Sequence, residues 1–207
     1  MFKNTKLILS LFAVLLLTPV AQAGDWVSMF DGKSLQGWKA STENPETFTV
    51  EDGTIKVFGP RAHLFYGADG NSKFTNFEFE CEVKTTEGAN SGIFFHTSYQ
   101  DKGWPSYGYE AQVNATHEDW RKSGSVYGVK DLREIAHKDN EWFTYLIKVE
   151  GKKVTIKFNG EVVNEYIEPA DHTWKKKCLR TGTIAIQGHD PKSLVYFRNL
   201  RIRSLDS

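Results

Sequence analysis

Phe77-Glu78-Phe79-Glu80-Cys81-Glu82-Val83 alternates apolar and acidic residues without a break. A period of two puts Phe77, Phe79, Cys81 and Val83 on one face and the three glutamates on the other, the pattern of a half-buried β-strand. The same period returns in Trp142 to Glu150, Val154 to Phe158 and Thr183 to Gln187. Turn dipeptides separate these and the neighbouring runs: Asp31-Gly32, Asp52-Gly53, Asp69-Gly70, Glu87-Gly88, Glu150-Gly151 and Asn159-Gly160. The last two bracket Lys152 to Phe158 and predict consecutive hairpins. No segment sustains a 3.6-residue period, and only Asp131 to His137 leaves room for a short helical turn. No repeat, linker or low-complexity stretch divides residues 24–207. They read as a single all-β domain, a sandwich or barrel.

Composition narrows the function. The 207 residues carry 26 Lys+Arg against 26 Asp+Glu, so there is no basic excess to neutralise phosphates and no nucleic-acid partner is expected. Aromatic residues reach 14%, which suits strands. Two cysteines without a C-x-x-C spacing make neither a disulfide scaffold nor a metal knuckle. Cys81 falls on the apolar face of its strand and Cys178 follows Lys175-Lys176-Lys177. The reading favours two free thiols, with a disulfide as the alternative.

Residues 1–23 read as a signal peptide. Lys3 and Lys6 precede the apolar run Leu7 to Leu17, and Pro19 and Ala21-Gln22-Ala23 supply the small-x-small cleavage pattern. The run is short for a membrane span. The expectation is an exported protein, periplasmic or secreted, beginning at Gly24.

Strand parity then selects the polar residues worth watching. In Tyr109-Glu110-Ala111-Gln112-Val113-Asn114, the apolar side chains share one face, while Glu110, Gln112 and Asn114 share the other. Ile184 and Ile186 point to the core and Gln187 away from it. In Ile93-Phe94-Phe95-His96, Ile93 and Phe95 go inward, leaving Phe94 and His96 opposite. An ordinary solvent face would carry Lys, Thr and Ser. Here it carries Glu, Gln, Asn and His beside glycines that leave room for a ligand. That combination suits a sheet face that hydrogen-bonds hydroxyl groups.

Several motifs together resemble a known family. They are Phe30-Asp31-Gly32-Lys33-Ser34-Leu35-Gln36-Gly37-Trp38, Asn90-Ser91-Gly92-Ile93-Phe94-Phe95-His96, Gly108-Tyr109-Glu110-Ala111-Gln112-Val113 and Gly124-Ser125-Val126-Tyr127-Gly128. Asn159-Gly160, Gly182-Thr183-Ile184-Ala185-Ile186-Gln187-Gly188-His189 and Val195-Tyr196-Phe197-Arg198-Asn199-Leu200-Arg201-Ile202 follow in order. The set is similar to the 3-keto-disaccharide hydrolase domain family and spans Asp25 to the C-terminus. The resemblance implies a concanavalin A-like lectin/glucanase jelly roll of two curved antiparallel sheets. It also implies cleavage of glycosides whose ring carries a 3-ketone. His96 departs from the pattern, in which Arg is the commoner residue.

A 3-ketone acidifies the C2 proton, so a base can form an enediolate that expels the C1 substituent, and water can add back. Such a site needs a base, an acid and a stabiliser of the oxyanion. Glu110 is the first candidate for the base, with His96 and His189 as proton donors or relays. Gln112, Asn114, Tyr127 and Gln187 are candidates to hold hydroxyls or the carbonyl. Trp104, Tyr107 and Trp120 either stack on sugar rings or cap the core edge. Each has a plainer alternative: Glu110 a structural carboxylate, His189 a loop histidine. Glu78, Glu80 and Glu82 read as a solvated face and Lys175 to Lys177 as a solvated run. His117-Glu118-Asp119 could hold a divalent metal, the one cofactor to consider, but a solvated loop is the default. Three functions stay open: a keto-glycoside enzyme, a two-carboxylate glycosidase, and a non-catalytic carbohydrate-binding module.

Overall fold

A computed structural model describes residues 24–206, so the expected signal peptide lies outside the described residues. In chain order the strands are β1 (Val27–Ser28), β2 (Trp38–Ala40), β3 (Phe48–Glu51), β4 (Thr54–Phe58), β5 (Ala62–Tyr66), β6 (Phe77–Thr85) and β7 (Asn90–Thr97). Then follow β8 (Tyr109–Asn114), β9 (Phe143–Glu150), β10 (Lys153–Phe158), β11 (Glu161–Ile167), β12 (Thr183–Gly188) and β13 (Leu194–Ser204). They form two antiparallel sheets. One runs β11-β10-β9-β6-β13-β4-β3 with β1 against β13, and the other runs β2-β5-β12-β7-β8.

The alternating strands behave as their period requires. Phe77, Phe79, Cys81 and Val83 of β6 are buried between the sheets, as are Ile184 and Ile186 of β12 and Tyr109, Ala111 and Val113 of β8. Fully burying such a side chain stabilises the fold by about 1.5–3 kcal/mol. The Glu150-Gly151 and Asn159-Gly160 turns close the β9–β10 and β10–β11 hairpins. Cys81 and Cys178 are both unpaired.

Two expectations change. Asp131 to His137 is an irregular loop, and the helical turn found among the described residues is a short 3-10 turn at Pro45–Thr47, where proline starts the turn. The glutamates of β6 are more than a solvated stripe. Each faces an arginine across the β6–β13 ladder: Glu78 with Arg203, Glu80 with Arg201 and Glu82 with Arg198. The like charges coexist because a parallel row of opposite charge lies one strand away.

Candidate active site

The outer face of the five-stranded sheet bears a cavity of about 290 Å³. Glu110 and Gln112 enter it from β8, Asn90 and Phe94 from β7, and Gln187 from β12. His189 follows β12 directly, and loops add Trp104, Asp119, Tyr127 and Lys177. Parity accounts for the strand residues: positions two apart on neighbouring antiparallel strands converge on one face.

Glu110 is half-buried at the cavity wall. Gln187 donates an Nε2–H to its Oε1 at 2.9 Å. Gly92 sits diagonally across the β7–β8 ladder, and a Cβ there would come within 2.2 Å of that oxygen. Glycine is therefore what gives the carboxyl its place. Burial pushes the Glu110 carboxyl up to about 8, against the opposing pull of Gln187 and Lys177. At neutral pH most of it holds its proton.

Two amide oxygens beside it have no protein donor among the described residues. Gln112 gives its Nε2–H to Asn90 Oδ1 at 3.1 Å, which leaves Gln112 Oε1 buried and unpaired, and Gln187 Oε1 is left likewise. A buried acceptor without a donor costs ~1–3 kcal/mol, so these oxygens call for hydroxyl or N–H donors from a bound molecule. Trp104 forms the apolar rim. Its loop is tied down by Gly103 N–H to Glu43 at 2.7 Å and by the Arg61–Glu43 ion pair at 2.6 Å, with the Arg61 guanidinium 5.1 Å from the Trp104 ring centre. Tyr127 lies under Arg121, whose guanidinium is 4.5 Å from its ring centre.

Four of the expected site residues lie elsewhere. His96 leaves the cavity face because β7 bulges: Thr97 pairs with Thr183 but Phe94 with Ala185, so Phe95 and His96 together oppose Ile184. His96 takes a φ of +56°, and its ring packs against Phe77 and Phe95. Its Nε2 meets Thr75 O at 2.9 Å, and its Nδ1 accepts Arg180 N–H at 3.0 Å. Both ring nitrogens are spent on backbone. Asn114 shares the face of Glu110 but holds the following loop, donating to Asp119 O and Arg121 O at 2.8 Å each and accepting His117 N–H at 3.0 Å. Tyr107 is covered by Arg180 rather than lining the cavity. Trp120 is wedged between Arg121 and Arg133, at 4.6 and 4.1 Å.

Other lining residues carried weaker signals. Asn90 has the parity of Phe94 and was legible from it. Asp119 and Lys177 sit in loops without a period, and nothing local places them here. Lys175 to Lys177 are all exposed, as expected of a solvated run, but Gly108 N–H bonds Lys176 O at 3.0 Å, which brings Lys177 to the cavity mouth.

Among the described residues, the fold does not assemble the metal alternative at His117-Glu118-Asp119, which stood beside the solvated-loop default. His117 instead gathers with His189 and Asp190, their potential ligand atoms within 4.8 Å of one another. However, His117 Nδ1 accepts Asp119 N–H at 3.0 Å, so the proton of the neutral ring is on Nε2. As arranged, His117 offers no lone pair there.

A jelly-roll sandwich with a carboxyl, an imidazole and unpaired amide oxygens in one aromatic-rimmed cavity is the architecture of a carbohydrate-active hydrolase. Residues 25–203 match the 3-keto-alpha-glucoside-1,2-lyase-like domain, and the chain belongs to that family. It is 29% identical to a 3-keto-disaccharide hydrolase of Bacteroides thetaiotaomicron over 89% of this chain and 80% of that protein. A "putative glycosyl hydrolase" of Parabacteroides distasonis superposes with a TM-score of 0.73 at 24% identity, covering 88% of this chain and 94% of that one. The Bacillus licheniformis β-glucanase shares the fold at a TM-score of 0.55 and 12% identity, over 88% and 98% of the two chains.

Proposed function

We propose that this cavity cleaves 3-keto-glycosides by elimination followed by hydration. Loss of the C2 proton places the electron pair in an enolate conjugated with the C3 carbonyl. The C1–O bond then breaks as the C1–C2 double bond forms, and the leaving oxygen takes a proton. Water adds at C1, and C2 regains its proton, so the net change is hydrolysis. The observation that carries this reading is the grouping of Glu110 and His189, two proton-transfer groups, with the unpaired Oε1 atoms of Gln112 and Gln187. The amide oxygens suit ring hydroxyls. Lys177, the one Lys or Arg among the described residues lining the cavity, supplies a positive charge for the developing enolate.

A two-carboxylate glycosidase is less well supported. Asp119 is a second lining carboxylate, but it accepts Arg121 N–H at 2.9 Å and lies 3.6 Å from the Arg121 guanidinium. It is committed to its own loop rather than free to act across a scissile bond.

The deciding experiment incubates the protein with a plain disaccharide and with its 3-keto derivative and follows free sugar. Release from the keto form alone supports the proposal. Release from the plain sugar as well supports the glycosidase, and binding without release supports a binding module. We further propose, from the segment before Gly24, that the reaction runs outside the cytoplasm. Mass spectrometry of protein from the native host is expected to show a chain beginning near Gly24, and a retained Met1 would overturn this.

A further inference from the structure

β12 delivers His189 to the cavity wall, and the next residue is Asp190. The Asp190 carboxylate is held from several sides. Its Oδ1 accepts Lys192 N–H at 2.8 Å, and its Oδ2 accepts Ser193 Oγ–H at 2.6 Å. Ser193 Oγ is fixed in turn by Asn90 N–H at 2.9 Å. Oδ2 also lies 2.8 Å from His189 Nδ1. Burial alone would raise the Asp190 carboxyl, but the bonds from Ser193, His189 and Lys192 bring it below its ordinary value, so it stays ionised. An ionised carboxylate only accepts. The proton of the neutral His189 ring must therefore sit on Nδ1, with the lone pair on Nε2. The ring packs against Trp104 and His117, each with its centre 5.4 Å away.

We propose that His189 Nε2 is the base that takes the C2 proton of the oxidised sugar, that Asp190 is its positioning residue, and that Glu110 is the acid serving the leaving oxygen. The assignment rests on the keto-glycoside reading above. In the first half-reaction, the C2–H bond breaks and its proton goes to Nε2, giving an imidazolium stabilised by Asp190. The C1–O bond breaks, and the departing oxygen takes the Glu110 proton. In the second, the Glu110 carboxylate accepts a proton from the water that attacks C1, and the imidazolium returns its proton to C2. Every group ends as it began. The raised Glu110 carboxyl, largely protonated at neutral pH, fits the acid's part.

The test separates proton abstraction from cleavage. Wild-type protein that releases sugar from a 3-keto-disaccharide first secures the underlying reading, and no release there would defeat that reading instead. The substrate is then incubated in D2O, and deuterium entry at C2 of the recovered substrate is followed together with release. Glu110→Gln is expected to keep C2 exchange while release falls about 10²–10⁴-fold. His189→Gln and Asp190→Asn are expected to lose both, with kcat down by a similar factor and KM changed only a few-fold. A downfield Nδ1–H proton resonance, present in the wild type, is expected to vanish in Asp190→Asn. A thermal melt checks each variant's fold, and His189→Gln alone decides if Asp190→Asn does not fold. Loss of C2 exchange in Glu110→Gln with exchange retained in the two dyad variants would overturn the assignment and make Glu110 the base.

Discussion

Glu110 occupies a place that exists because residue 92 has no side chain. The carboxyl stands where a Cβ on Gly92 would be, and Gly92 does not itself adopt a left-handed φ. Gly92→Ala is therefore expected to leave the strand intact, because the crowded atom is the movable end of a side chain. It should displace Glu110 from Gln187 and lower turnover by at least tenfold, with a melting temperature close to the wild type. The carboxyl also writes a pH signature on stability. Its folded value of about 8 lies above the ordinary carboxylate value of 4.5. Between those limits the unfolded chain has released the proton that the folded chain retains. Stability from this group is thus full below about pH 4.5 and falls as pH rises through 8. Glu110→Gln removes that dependence. Melting curves are expected to show the variant gaining on the wild type from pH 5 to pH 9, and parallel curves would show that the carboxyl is not desolvated.

At the scale of elements, the loop after β11 is what finishes the cavity. Glu168 at its start is almost fully buried, accepting Tyr109 O–H at 3.0 Å and Leu179 N–H at 2.6 Å, and it pairs with Lys152. Burial opposes its charge, but the bonds from Lys152, Leu179 and Tyr109 outweigh it and lower its carboxyl. This clamp brings both ends of the Lys177-bearing loop onto β8. Glu168→Gln is expected to cost about 1–3 kcal/mol in denaturant unfolding at pH 7, the scale of a lost buried hydrogen bond, and to raise KM. The stability difference should shrink as pH falls below 4.5 and Glu168 takes up its proton. On the opposite sheet, the glutamate row of β6 meets the arginine row of β13 in part-exposed pairs, each worth ~0.2–1 kcal/mol. Glu80→Gln is expected to leave turnover unchanged, and its loss of activity would place the reaction on the wrong sheet.

The whole molecule stores acid sensitivity in its buried histidines. Burial holds His63 neutral down to about pH 3 and His96 down to about 4, and lowers His137 in the same sense. The unfolded chain takes up these protons first, near the ordinary value of 6.5. Stability is therefore complete above that pH and declines as pH falls toward 4 and 3. In the Glu110→Gln background, which removes the opposing contribution of that carboxyl, the melting temperature is expected to drop from about pH 6.5 to pH 4. His63 packs among Phe65, Phe94 and Trp104, and its Nε2 has no protein partner among the described residues. His63→Phe should flatten part of that slope, and an unchanged slope would remove His63 from the account.

Alternation along a strand is a local property, and burying one face leaves it no freedom. That is why Phe77 to Val83 foretold a sheet, and why Glu110, Gln112 and Gln187 could be assigned to one face before any contact was known. The Asp190-Pro191-Lys192-Ser193 turn and the pairing of Asp190 with His189 join chain neighbours too, but no periodicity marks them, and the structure shows them. Other positions depended on distant partners. His96 obeyed the alternation in sequence but not in space, because β7 takes one extra residue against β12 and turns its ring toward Phe77. Asn114, Tyr107 and Trp120 were spent on a loop and on arginines, whereas Trp104 and Lys177 reached the cavity through loops anchored by residues far away in the chain, and Asp119 through the loop that Asn114 holds. The sequence by itself determined the two-faced strands and the chemistry offered on one face, since side-chain direction follows from each strand's own backbone. Only the tertiary structure decided the bulge and which loops close over that face, because those depend on how the two sheets meet.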